Sequence, residues 1–237
     1  MSDALYVIAK APRVGLAKTR LGRTIGHERA VTLYRAFLQD LAARFSGAPF
    51  ALGWYVTPPD AWAEISPLVG ESGQVLFQGE GDLTERQREL FRGAAGRGEE
   101  RTVLIASDSP HLTVGIVEEA FRCLDRQDIV FGPTYDGGYY LIGMRGYHDV
   151  LQETPMSVGT ELDGIVARAR LSGLSVALLE TTFDVDVVED IRHLRPLVLE
   201  RPDLAATRDA LESLGLLEEE SQPANGERGI LARREQV

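Results

Sequence analysis

Seven short apolar runs, separated by turns and amphipathic stretches, constrain this chain more than any other feature. "ALYVIAK" at 4–10, "FALGWYVT" at 50–57, "QVLFQ" at 74–78, "TVLIAS" at 102–107 and "DIVFG" at 128–132 read as strands, being short, apolar and bounded by turn residues. Between the first two, "HERAVTLYRAFLQDLAARF" sets Ala30, Val31, Tyr34, Phe37, Leu38, Leu41, Ala42 and Phe45 at helical spacing. Further helices are expected near 59–69, 83–97 and 113–125. Strand and helix therefore alternate, as in a parallel sheet covered on both faces. The run "YYLIGM" at 139–144 follows "DIVFG" after only six residues. That is too few for the crossover a parallel neighbour needs, so one strand is expected to run antiparallel or in a different register. A helix at 159–172, a strand "SVALLE" at 175–180 and helices near 187–199 and 203–215 complete an α/β chain with a mixed, mostly parallel sheet. From residue 218 the text is polar and aperiodic, which predicts a mobile tail after a single domain over 1–217.

In an open α/β sheet, functional residues collect in loops past the carboxyl ends of strands. The first such loop, "AKAPRVGLAKTRLGR" at 9–23, holds both lysines of the chain, Lys10 and Lys18, with Arg13, Arg20 and Arg23 and no carboxylate. The chain as a whole carries a formal charge of −11, which argues against nucleic acid or an anionic membrane as the main partner. A local anion site is the reading that remains. Gly15, the loop's backbone amides, Lys18, Arg20 and Arg23 could wrap a di- or triphosphate, and a compact ammonium differs from the guanidinium used elsewhere. The loop is not a Walker A motif. No run of 18 apolar residues occurs, and Asp3 stands where a signal peptide would carry basic residues, so a cytoplasmic protein without a membrane span is expected. The single cysteine, Cys123, lies on the apolar face of "VGIVEEAFRCL" and reads as a small core residue.

Four other loops carry candidates. "IASDSPHL" puts Asp108 at the end of the fourth strand, where a carboxylate suits Mg2+ or Mn2+ held together with substrate phosphates; its structural alternative is a cap for the helix near Thr113, a job Thr113 or Ser109 could do. His111 has no second histidine at ligand spacing and reads as a turn or surface residue. In "TTFDVDVVEDI", Asp184 and Asp186 are two apart and would face the same side of an extended segment, one as ligand and the other as cap. In "GPTYDGGYYLIG", Gly137 and Gly138 allow either a tight turn between strands or close approach to a ligand; of Tyr139 and Tyr140, one would pack and one would look into the site. In "QGEGDLTERQRELF", Asp82 follows the third strand and would cap the next helix.

In order, "YVIAKAPRVGLAKTRL", "QGEGDLTERQRELF", "IASDSPHL", "GPTYDGGYYLIG" and "DVDVVEDIRHL" resemble the bacterial DUF2064 family, also called selenodomain-associated transferase 1. Its members are GT-A-fold, glycosyltransferase-like proteins, and some are described as glycosyltransferases of arsenosugar biosynthesis. The resemblance spans roughly residues 4 to 200. The same pattern is more distantly similar to 2-phospholactate and molybdenum-cofactor guanylyltransferases. It implies a three-layer α/β/α GT-A fold, Lys10, Lys18 and Arg20 at phosphate, Asp108 as first metal ligand with Asp186 as a second, and Asp82 and Glu85 near base or ribose. Two departures stand out. Thr84 and Gln87 replace the glycine and methionine of the family's D-L-G-E-R-M, and "PMSVGTEL" at 155–162 replaces a Trp-Ser-Thr-like signature in the acceptor region.

The resemblance implies a metal-dependent glycosyltransferase-like enzyme that moves sugar from a nucleoside-diphosphate sugar to a small-molecule acceptor. A nucleotidyltransferase joining a nucleoside triphosphate to a phosphorylated small molecule is the alternative, followed by a non-catalytic nucleotide-binding module. Asp136 is the one general-base candidate. Expected partners are the nucleotide or nucleotide sugar and the acceptor, with a homodimer left open as the assembly.

Overall fold

The structure, a computed structural model, describes residues 2–70, 73–152, 159 and 161–218. The expected strands form as β1 (Asp3–Lys10), β2 (Ala51–Thr57), β3 (Gln74–Phe77), β4 (Arg101–Ala106), β5 (Ile129–Pro133), β6 (Tyr139–Arg145) and β7 (Val176–Leu178). The helices are α1 (Thr19–Ile25), α2 (His27–Phe45), α3 (Trp62–Val69), α4 (Leu83–Gly96), α5 (Val114–Leu124), α6 (Glu161–Leu171), α7 (Ile191–Glu200) and α8 (Ala205–Ser213). All but α1 were expected. The tail predicted from 218 falls on 219–237, and most of the acceptor-region departure falls on 155–158 and 160; both lie outside the described residues.

One seven-stranded sheet has the order β3-β2-β1-β4-β6-β5-β7. Strand β6 is the antiparallel member, pairing so with both β4 and β5, while the other neighbours are parallel. The five-residue connection from Pro133 to Tyr139 leaves no other geometry for the β5–β6 pair. Alternate side chains of each central strand feed two cores, one per face. Leu5 and Val7 of β1, Trp54 and Val56 of β2, and Val103 and Ile105 of β4 pack with Leu33, Phe37 and Leu41 of α2, Val117 and Phe121 of α5, and Leu194 of α7. Tyr6, Tyr55 and Leu104, on the intervening positions, pack with Leu90 and Phe91 of α4 and Ile165 and Val166 of α6. The result is three layers, α/β/α. No helix among the described residues is long and apolar enough to cross a membrane. Cys123 is a free, half-buried thiol packed against the first core.

The last helix is tied to α2 by a buried carboxylate. Asp40 accepts hydrogen bonds from the backbone N–H groups of Ala206 (3.0 Å) and Thr207 (2.8 Å), which open α8. These amides would otherwise be orphaned at a buried helix start. Asp40→Ala is expected to destabilise the chain by about 2 kcal/mol in urea unfolding, the range for hydrogen bonds to a charged acceptor. A change within about 0.5 kcal/mol, as at neutral surface positions, would mean that water caps α8 instead.

Candidate functional site

The chain builds outward from β1 through β2 to β3, then returns to place β4 on the other side of β1. The carboxyl ends of β1 and β4 therefore diverge into opposite directions, and such a switch point leaves a crevice. A cavity of ≈ 460 Å³ opens there. Its floor includes Ile8, Leu104 and Ile142 from the sheet; Lys10, Lys18, Arg20, Asp108 and Asp186 gather polar groups along it, and Asp82 enters from the loop before α4.

Lys18 is the centre of this arrangement. It takes a left-handed backbone conformation (φ 50°, ψ 42°), uncommon for a residue with a Cβ, as the residue before α1. Its side chain is 2% exposed, and Nζ lies 2.9 Å from Asp108 Oδ1 and 3.1 Å from Asp186 Oδ1. It also donates to the backbone oxygen of Val185 at 2.6 Å. Burial alone would push the Lys18 ammonium toward neutrality, but the Asp108 and Asp186 carboxylates outweigh it and hold its pKa above the ordinary lysine range. Arg20 meets the other oxygen of Asp186 at 3.1 Å from a largely exposed position. Burial opposes the charge on Asp186 as well, yet Lys18, then Arg20 and Lys10, keep its carboxyl below the usual range.

The two structural alternatives for the aspartates fail. Thr113 Oγ1 caps α5 by accepting from Ile116 N at 3.2 Å, so Asp108 is free of that duty. Ahead of α7 it is Asp190 that accepts from the N–H groups of Asp186 and Val187, both at 2.8 Å. Asp184 neither caps nor lines the cavity. Burial, followed by the charges of Asp186, Asp136 and Asp108, raises its carboxyl to about 7, against a smaller pull from Lys18. Among the described residues no three His, Cys, Asp or Glu side chains are placed to hold a metal ion. A cage made wholly of protein is thus not what this donor set offers. Two carboxylates beside a cationic loop do fit a hard cation that draws its remaining ligands from phosphate and water.

The five cations of the opening loop separate. Lys10, Lys18 and Arg20 line the cavity, whereas Arg13 Nε donates to Glu64 at 2.6 Å and its Nη2 to Asp60 at 2.8 Å, fastening the loop to α3 and the turn before it. Arg23 sits exposed on the last turn of α1. Gly15 (φ 81°) is an exposed turn residue away from the cavity wall, required for chain reversal. Asp82 lines the cavity and caps α4, but Glu85, expected near base or ribose, turns back: its carboxylate accepts from Asp82 N at 2.9 Å and closes a capping box.

The Gly137–Gly138 segment is the turn of the β5–β6 hairpin. Asp136 Oδ1 accepts from Thr134 Oγ1 (2.5 Å) and Gly138 N (3.2 Å), so the general-base candidate is an exposed residue that staples its own turn and does not line the cavity. Gly137 (φ 90°) could not carry a side chain, since a Cβ would overlap the Gly159 carbonyl. The two tyrosines both line the cavity, where only one was expected to. Tyr140 packs over Gly132 and donates to Glu180 O at 3.1 Å, while Tyr139 donates to Gln87 Oε1 at 2.6 Å. His111 sits in a turn, as read, but is buried and not at the surface: its ring stacks on Phe183 with centroids 4.1 Å apart.

Sequence reasoning passed over Arg86 and took Gln87 only as a departure from the family pattern; both line the cavity. Arg86 Nε is buried without a hydrogen-bond partner among the described residues, and Nη1 reaches only Gln78 Oε1 at 3.4 Å. A signal existed: Arg86 and Gln87 precede the buried Leu90 and Phe91 by four residues, on the same helix face.

A family model described as "Uncharacterized protein conserved in bacteria (DUF2064)" matches residues 39–158. A crystal structure from Desulfovibrio desulfuricans G20, provisionally named a nucleotide-diphospho-sugar transferase, is similar at 29% identity and TM-score 0.82, covering 90% of this chain and 97% of that one. A cytidylyltransferase from Leptospira borgpetersenii serovar Hardjo-bovis shares the fold at 14% identity and TM-score 0.56, covering 91% and 94%. A CMP:2-keto-3-deoxy-manno-octonic acid synthetase complexed with CTP shares it at 11% identity and TM-score 0.52, covering 84% and 99%. No curated protein matches the chain.

Proposed function

Because the chain belongs to the DUF2064 family, we propose that it is a transferase that takes a nucleoside-diphosphate sugar as donor and passes the sugar to a small-molecule acceptor. The observation that carries this reading is the meeting of Lys10, Lys18, Arg20, Asp108 and Asp186 in one cavity at the switch point of the sheet. The relative named as a nucleotide-diphospho-sugar transferase supports it. Negative charge accumulates on the departing nucleoside diphosphate, and preorganised cations in a partly dry cleft stabilise it without reorganising. Arg20 and Lys10, with side chains toward solvent, meet the phosphates, and the apolar floor excludes water from the reacting face. A Mg2+ or Mn2+ ion held by Asp108, with Asp186 beside it, would supply further neutralisation of the leaving phosphates.

Only three of the loop's five cations line the cavity, a number that suits a diphosphate. The alternative, nucleotidyl transfer with release of pyrophosphate, is favoured by Arg86, a further cation on the same cavity wall. A thermal-shift panel separates the two. With Mn2+ present, nucleoside-diphosphate sugars are expected to raise Tm more than the matching triphosphates. A preference for triphosphates, together with pyrophosphate release, supports nucleotidyl transfer, and no response to any nucleotide removes both readings.

A further inference from the structure

The ammonium of Lys18 stands where the two candidate cation ligands converge. An ammonium has three donors, and three oxygens surround this one: Asp108 Oδ1, Asp186 Oδ1 and Val185 O. As placed, Lys18 has no donor left for a phosphate. The carboxylates are committed in turn, Asp186 through its second oxygen to Arg20. A small divalent cation and this ammonium therefore want the same carboxylate charge, and two cations that close repel, the more so because the Lys18 ammonium is withdrawn from water.

We propose that Lys18 is a built-in counter-ion of the Asp108–Asp186 pair, so that a divalent cation gains these carboxylates only when phosphate oxygens draw the ammonium away. The inference rests on the reading above that the cleft binds a cation together with nucleotide phosphates. Its consequence is an order of events. The free protein keeps the pair neutralised and binds divalent metal weakly; phosphate supplies the oxygens that Lys18 gives up, and metal and phosphate enter together. The left-handed conformation of Lys18 fits a residue whose backbone is held for the sake of its side chain.

The chain has only two lysines, which makes a direct test available. In the full chain labelled with 15N at lysine Nζ, the shielded Lys18 ammonium is expected to give a slowly exchanging cross-peak that the exposed Lys10 does not. Mg2+ alone should leave that peak in place, and Mg2+ with inorganic pyrophosphate should shift or abolish it. In parallel, Mn2+ binding is followed through loss of the free-ion EPR signal. Without phosphate it is expected to be roughly tenfold or more tighter in Lys18→Met than in the wild-type chain. If Lys18→Met does not fold, the lysine spectrum of the wild-type chain decides alone. Equal Mn2+ affinity in the two proteins, or a Lys18 peak unmoved by Mg2+ with pyrophosphate while Mn2+ binds, overturns the counter-ion role and leaves the cation site standing. Displacement of Lys18 by Mg2+ alone overturns the phosphate requirement. Absence of protein-retained Mn2+ in every arm, the pyrophosphate arm being read by gel filtration because pyrophosphate itself removes the free-ion signal, overturns the cation site and the counter-ion role together.

Discussion

Asp108→Asn is expected to lower kcat/KM for sugar transfer by about a hundredfold or more, on the order of 3 kcal/mol of transition-state stabilisation. The substitution keeps the size of the side chain and removes its charge. Asp108 carries no capping duty, because Thr113 caps α5, and its side chain is 38% exposed. Its charge does pair with the buried Lys18 ammonium at 2.9 Å, so some loss of stability accompanies the substitution. What is lost is one of two carboxylates beside the cavity's cations Lys10, Lys18 and Arg20, and a buried Lys18 then has a single anionic partner. Under the proposed transfer, both changes fall where charge would develop on the leaving phosphates. Steady-state kinetics with the donor identified by the thermal-shift panel is the measurement, with urea unfolding as the control for folding. Turnover equal to that of the wild-type chain would remove Asp108 from the site.

The sheet was legible because its strands are short apolar runs and the helices between them carry a 3.6-residue stripe. Helix α1 was not, because "TRLGRTI" is seven residues long and reads as part of a basic loop. Strand order was also beyond the text, apart from the short connection that forces β5 and β6 to be antiparallel. The strand-end rule singled out Lys18, Asp108 and Asp186, which lie up to 168 residues apart and line one cavity. The same rule could not sort the loop's cations, since what removes Arg13 from the cavity is a pair of acids, Asp60 in the turn before α3 and Glu64 on α3. The capping box of Asp82 and Glu85 was written in the sequence as an acid three residues after a cap, and the family resemblance pointed Glu85 elsewhere. Lys18 shows the deeper limit. Its charge and place were readable, but the direction of its ammonium, inward to carboxylates, depends on a segment that joins the site from the far end of the chain.

His111 follows Asp108 by three residues, and its burial makes stability depend on pH. Its Nε2 is 2.9 Å from Thr182 Oγ1, its Nδ1 is buried without a partner among the described residues, and Arg201 binds its backbone oxygen at 2.6 Å. Burial, then the positive charges of Arg201 and Arg44, lowers its pKa from the ordinary 6.5 to about 3. Between those values the unfolded chain holds a proton on this ring that the folded chain does not. Stability from the neutral ring is therefore complete above the unfolded pKa and is lost as pH falls from about 6.5 toward 3. By linkage the loss amounts to about 2 kcal/mol between pH 7 and pH 5 and about 3 kcal/mol by pH 4. Asp184 acts in the opposite sense. Its carboxyl is raised to about 7, so the folded chain binds the extra proton and gains stability as pH falls through that value. The wild-type curve is the sum of the two, and only a comparison isolates the histidine. His111→Gln keeps a polar group that can reach Thr182 and cannot titrate. The stability gap between wild type and His111→Gln should shift in favour of the variant by about 2 kcal/mol from pH 7 to pH 5, whatever its size at pH 7. Parallel unfolding curves across that range would mean that the folded protein protonates His111 as readily as the unfolded chain does, and that Arg44 and Arg201 leave room for its charge.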